Sequence, residues 1–127
     1  MGSTNCFTGE RKTMRDSSDS RQSFAKLQNI LGERFIERTR NELSVMRYKW
    51  QAARNGDKLA SEQVLQFAHR ICGAGGMLGL EQVSAPMRNI ERILRAGVLS
   101  DGDWQEIEDH LQQLYTAMND AEESLTI

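Results

Sequence analysis

His69 is the residue of this sequence best suited to chemistry, and four glycines follow it within ten residues: Gly73, Gly75, Gly76 and Gly79. A neutral imidazole is nucleophilic at physiological pH and can carry a group as a covalent intermediate. When the surrounding residues are placed on a helix, His69 falls outside the apolar stripe and shares an outward strip with two of the glycines. The pattern predicts an imidazole that reaches solvent beside a bare stretch of helix.

Each glycine within a helix lowers helix stability by roughly 1 kcal/mol relative to alanine, so the presence of these glycines requires an explanation. One interpretation is structural: Gly75, Gly76 and Gly79 end the helix, and Gly73 lets two helices pack closely. The other is functional, since Gly73 lies one turn after His69 on the same strip and leaves the imidazole open to another macromolecule. The sequence leaves both interpretations open.

The spacing of residues after His69 also resembles a known family motif. Gly73 follows the histidine by four residues, Gly79 by ten and Leu80 by eleven. In this motif the chain resembles the histidine-containing phosphotransfer (HPt) domains, and the resemblance extends over about residues 24–125 as a helical layout.

The resemblance implies a phosphocarrier without kinase activity of its own. HPt domains are cytosolic helical bundles that pass a phosphoryl group between receiver-domain aspartates through one surface histidine, here His69. Receiver domains of response regulators and a hybrid histidine kinase are the implied partners. Because the receiver supplies the acceptor aspartate and Mg²⁺, we expect no cofactor in this chain, and we expect a cytoplasmic monomer.

Further residues are candidates for the site around His69. To leave Nε2 free for phosphorus, Nδ1 should donate its proton to an acceptor. Glu91 matches the family position that often holds a polar orienting residue; the alternative is a solvated surface carboxylate. The family usually has lysine where this chain has Cys72, which we interpret as a small buried apolar residue. Arg88 and Arg95 could neutralise phosphate charge instead, or be ordinary surface charges.

Composition excludes several classes of function. The 127 residues, 39% of them hydrophobic, fit one small domain. A net charge of -2 and a pI near 5.7 disfavour nucleic acid as a partner. No apolar run approaches the roughly 20 residues that span a bilayer, so we expect no membrane partner. Two cysteines make no disulfide framework and suit a reducing compartment.

Apolar residues spaced by three and four predict helices over most of the chain. The polar residues 1–22 predict a flexible N-terminal tail, and residues 23–127 the folded domain. Gly32 is expected to divide the first helical stretch, and Ser61 to cap the helix that bears His69. With a single proline and no alternating apolar run, we predict an all-α fold, an antiparallel four-helix bundle with a short extra N-terminal helix.

Two other functions remain possible from the sequence. In the first, a non-catalytic bundle docks a receiver domain or another partner without phosphotransfer, and His69 is only a contact residue. In the second, His69 and Cys72 bind a metal, although no third ligand lies near them in sequence. The predicted docking face is the strip around His69 with the neighbouring end of the helix over residues 33–54. His110 is predicted to be a surface or boundary histidine.

Overall fold

The computed structural model describes residues 14–97 and 99–125, and four helices account for most of them. They are α1 (Met14–Arg54), α2 (Lys58–Met77), α3 (Glu81–Arg95) and α4 (Asp101–Leu125). There is no strand in the described part of the chain. The predicted all-α class is therefore confirmed.

The chain divides into two compact units at Leu31 and Gly32. The described part of the first unit is the beginning of α1, on which Phe24 and Leu27 are exposed. The second unit contains the remainder of α1 together with α2, α3 and α4.

The second unit is an antiparallel four-helix bundle. Helix α2 packs against α3, and α3 against α4. The guanidinium of Arg40 ties α1 to Glu122 of α4 at 3.0 Å, and Trp50 of α1 stacks near Trp104 of α4 with ring centroids 4.5 Å apart. Residues with the lowest exposure come from all four helices: Ile36, Val64, Val83, Met87, Ile90, Ile107, Leu114 and Met118. This shared core fixes the helices that carry the site.

Helix α1 runs through Gly32 without interruption, so the predicted break there is wrong. The short N-terminal helix is instead the first part of α1. Gly32 is buried, and a Cβ built on it would lie 3.1 Å from Cδ1 of Leu125. The glycine therefore allows the end of α4 to approach α1 closely, which a larger residue would hinder.

The predicted tail overlaps α1, because the helix begins at Met14. Residues 14–22 are thus helical, while residues 1–13 lie outside the described part of the chain. The division into a tail over 1–22 and a domain over 23–127 stays a prediction.

The N-terminus of α2 is capped by Asp57, whose carboxylate accepts a hydrogen bond from the amide of Ala60 at 3.0 Å. The prediction that Ser61 caps this helix is wrong, since its amide already donates to the Asp57 carbonyl within the first turn. An acidic cap also suits the positive end of the helix dipole. After α2, Gly79 adopts a φ of 74°, a conformation that favours glycine.

Candidate functional site

His69 lies in the middle of α2 with its side chain 69% exposed. Its neighbours Phe67 and Ala68 are buried, as are Val64, five residues before it, and Ile71, two residues after it. These buried side chains hold one face of α2 against the core, so the histidine is directed to the surface. The exposure agrees with the orientation that the sequence predicts.

Glu91 of α3 contacts the rear of this imidazole. Its Oε2 lies 2.7 Å from Nδ1 of His69, and its side chain is only 18% exposed. Because a carboxylate can only accept hydrogen bonds, the Nδ1 atom carries the proton and donates it. In the neutral imidazole this leaves the lone pair on Nε2, for which the described residues provide no hydrogen-bond partner.

Arg95 binds the same carboxylate oxygen from one helical turn further along α3. Its Nε and Nη2 donate to Oε2 of Glu91 at 3.1 and 2.9 Å. Burial raises the pKa of Glu91, but the hydrogen bonds from Arg95 and His69 outweigh it, so that pKa lies below its ordinary value. Glu91 is therefore an anion at neutral pH, held between a cation and an imidazole.

The glycines after His69 have different surroundings. A Cβ on Gly73 would meet nothing within 4 Å, so this glycine does not allow two helices to pack closely. It leaves an open surface one turn from the imidazole. Gly75 is buried, and a Cβ there would lie 2.7 Å from Oγ of Ser84 on α3. Gly75 and Gly79 thus have structural roles, and Gly73 does not.

Ser84 is a residue that the sequence motif does not single out. It is fully buried, and its hydroxyl donates to the backbone carbonyl of Cys72 at 2.7 Å. The contact joins α3 to the turn of α2 that follows His69. Its position beside Val83 and three residues before Met87, in the buried stripe of α3, is the signal that could have indicated it.

Arg88 borders position 72, where the family usually has lysine. Cys72 is half-buried and packs against the core. The pKa of Arg88 is raised by its hydrogen bond to Glu81, at 3.1 Å, and more weakly by the thiol of Cys72. A guanidinium from α3 therefore lies beside the position that α2 leaves without a cation.

The structure also bears on three other candidate features: a metal site, His110 and a membrane-spanning helix. Within residues 14–97 and 99–125, no three His, Cys, Asp or Glu side chains are grouped to hold a metal ion. The prediction that His110 is a surface or boundary histidine is wrong, because it is 8% exposed, with Nδ1 3.1 Å from Oε1 of Gln113. Over the described residues, none of the helices combines the length and apolarity needed to cross a bilayer.

Comparison with known proteins identifies a family. A family model described as Hpt domain matches residues 30–121. No curated protein and no solved structure matches the chain significantly. The matched range covers the part of the chain that contains His69, Glu91 and the glycines between them.

Proposed function

Because the chain belongs to the Hpt domain family, a phosphotransfer module of two-component signalling, we propose that it carries a phosphoryl group on His69 between aspartates of receiver domains. The observation that supports this proposal best is the exposed imidazole whose Nδ1 is held by Glu91 at 2.7 Å. The open surface at Gly73 gives a partner room to approach.

In the first step, the lone pair of His69 Nε2 attacks the phosphorus of an aspartyl phosphate on the receiver. The N–P bond forms as the P–O bond to the aspartate breaks, and the bonding pair leaves with the aspartate as a carboxylate. The imidazole becomes cationic with its proton still on Nδ1, where the Glu91 carboxylate stabilises it. In the second step, an aspartate of another receiver takes the phosphoryl group and restores the neutral ring.

The partner receiver is expected to supply Mg²⁺, which neutralises charge on the phosphoryl oxygens during transfer. The residues of this chain then have to present the imidazole, keep its proton on Nδ1 and leave space around Nε2. Transfer of this kind depends mainly on positioning and on charge neutralisation. We assign positioning of His69 to Glu91, and part of the charge neutralisation to Arg88 and Arg95.

The proposal places the chain in the cytoplasm, where it acts as a monomer. The second unit buries its core between its own four helices, from Ile36 to Ala121. A carrier that meets several receivers in turn needs a surface that is free in the single chain, and His69 with Gly73 provides one.

The test is phosphoryl exchange with a panel of receiver domains labelled with radioactive acetyl phosphate. We expect at least one receiver to transfer its label to the chain as an acid-labile, alkali-stable phosphohistidine. His69→Gln should abolish this transfer. The matched control is His110→Gln, which changes the other histidine and should retain it, provided that circular dichroism shows both variants to be folded.

If His69→Gln accepts label as readily as the unmodified chain, the proposed mechanism is wrong. The second candidate, docking without phosphotransfer, is favoured by the cysteine at position 72 in place of the family lysine. It predicts receiver binding that survives His69→Ala, with no phosphohistidine formed by any receiver in the panel.

A further inference from the structure

Three arginines form a basic stripe along one side of α3: Arg88, Arg92 and Arg95. They are spaced by four and three residues, which places them on neighbouring turns of the same helix flank. All three are exposed, and the side chains of Arg88 and Arg95 are 57% and 58% accessible. This is a concentrated positive surface on a chain whose formal net charge is -2.

The charges of the stripe are only partly compensated within the chain. Glu81 pairs with Arg88 at 3.1 Å, and Glu91 pairs with Arg95 at 2.9 Å. Arg92 has no ion-pair partner among the residues that the structure describes. An exposed arginine without an intramolecular partner adds no ion pair to the fold, so its positive charge is available to a partner.

The stripe lies directly beside the imidazole. The oxygen of Glu91 that binds Arg95 also binds Nδ1 of His69. Arg88 borders Cys72, the residue next to the open position of Gly73. Any protein that covers His69 and Gly73 therefore also comes close to the stripe.

We propose that the basic stripe of Arg88, Arg92 and Arg95 steers the receiver onto His69 by attracting an acidic rim around its acceptor aspartate. This inference rests on the proposed function and extends the predicted docking face from α1 and α2 to α3. The partner's chemistry supplies the complementary charge, because an acceptor carboxylate and the carboxylates that hold Mg²⁺ make such a site acidic. The stripe acts on association and Arg92 takes no part in the chemical step.

The test compares Arg92→Glu with Lys58→Glu, which makes the same change of charge. Lys58 is the exposed first residue of α2, about 16 Å along the helix from His69. Glutamate is well tolerated at a helix N-terminus, so this control should fold. Two rates are measured for each chain: phosphoryl exchange with a labelled receiver, and labelling of His69 by phosphoramidate, a small donor that releases ammonia.

We expect Arg92→Glu to slow exchange with the receiver about tenfold at low ionic strength. At high salt, near 0.5 M, screening should reduce the difference to less than about twofold. Labelling by phosphoramidate should be unchanged, because a small donor needs no docking surface. Lys58→Glu should match the unmodified chain in both assays.

Four results would overturn parts of this reasoning, and they can be told apart. If the unmodified chain exchanges label with none of the receivers, the proposed function itself is refuted. If the unmodified chain exchanges label with a receiver and Arg92→Glu does so at the same rate at low salt, only the steering role is refuted. Slower phosphoramidate labelling of Arg92→Glu would show that Arg92 acts on the imidazole and not on docking. If exchange is unchanged and Arg92→Glu also loses a binding of the unmodified chain to phosphatidylserine vesicles, measured separately by co-sedimentation, the stripe is a membrane-binding surface instead.

Discussion

Replacing Gly75 by alanine should destabilise the bundle, although alanine is the better helix former. The new Cβ would lie 2.7 Å from Oγ of Ser84, which is fully buried and donates to the Cys72 carbonyl at 2.7 Å. Moving the hydroxyl away leaves a buried donor without its acceptor, which costs about 1–3 kcal/mol. The gain in helix propensity is roughly 1 kcal/mol. We therefore expect the free energy of unfolding to fall, by up to about 2 kcal/mol.

A double-mutant cycle in urea tests this explanation. In the Ser84→Ala background the close contact is gone, and the next-nearest atoms to the new Cβ are the Leu80 carbonyl oxygen at 3.4 Å and Val83 Cγ1 at 3.5 Å. Both are acceptable contacts, so Gly75→Ala should there be neutral or stabilise by up to about 1 kcal/mol. Equal destabilisation in the two backgrounds would refute the role of the hydroxyl.

Gly73→Ala is the matched control for this cycle. Its Cβ would meet nothing within 4 Å, so the variant should gain roughly 1 kcal/mol of stability from helix propensity. The same methyl group stands on the surface next to His69, where we expect it to slow exchange with a receiver domain.

Three further predictions follow from the ion pairs. Glu91→Gln should slow receiver exchange about tenfold, because the amide can still accept the Nδ1 hydrogen bond but has no charge to stabilise the phosphorylated ring; an unchanged rate would contradict this charge stabilisation. The hydrogen bond from Arg40 lowers the pKa of Glu122. The stabilisation of the folded chain by this pair is therefore complete above the ordinary carboxyl pKa of about 4.3. It is lost as the pH falls through the lowered pKa of Glu122. The difference in unfolding free energy between Glu122→Gln and the unmodified chain should accordingly disappear in acid, and a constant difference would exclude this origin. Arg70→Gln breaks a partly exposed ion pair with Glu42, so it should lower the free energy of unfolding by less than about 1 kcal/mol. It should leave phosphoryl exchange with a receiver unchanged, and a loss of that exchange would give Arg70 a role in transfer.

The helices and their buried faces were predictable because they depend on local periodicity. On α2, the spacing of Val64, Ala68 and Ile71 predicts the buried stripe and directs His69 outward. The same signal was present for His110, which lies in register with Ile107 and Leu114 on the buried side of α4. A polar residue in an apolar stripe is easily assigned to the surface or to its boundary, and that assignment was wrong for His110.

Features that depend on distant parts of the chain could not be read from spacing. A glycine inside an apolar pattern can end a helix or admit a neighbour, and only the position of Leu125 shows that Gly32 does the second. The family position of Glu91 predicted its contact with the histidine. Arg95 binds the Glu91 oxygen that also contacts His69, and Arg88 approaches Cys72. Both contacts depend on side-chain rotamers that helix packing selects.

The hydrogen bond from His69 Nδ1 to Glu91 also has a consequence for the regiochemistry of the carrier. With one ring nitrogen engaged at 2.7 Å behind the imidazole, a donor can reach only the other, and the product should be the tele isomer of phosphohistidine alone. Isomer-specific antibodies or phosphorus NMR can read this directly. Donor and acceptor receivers would then meet the phosphorus along the same line of approach, so one geometry serves both directions of transfer.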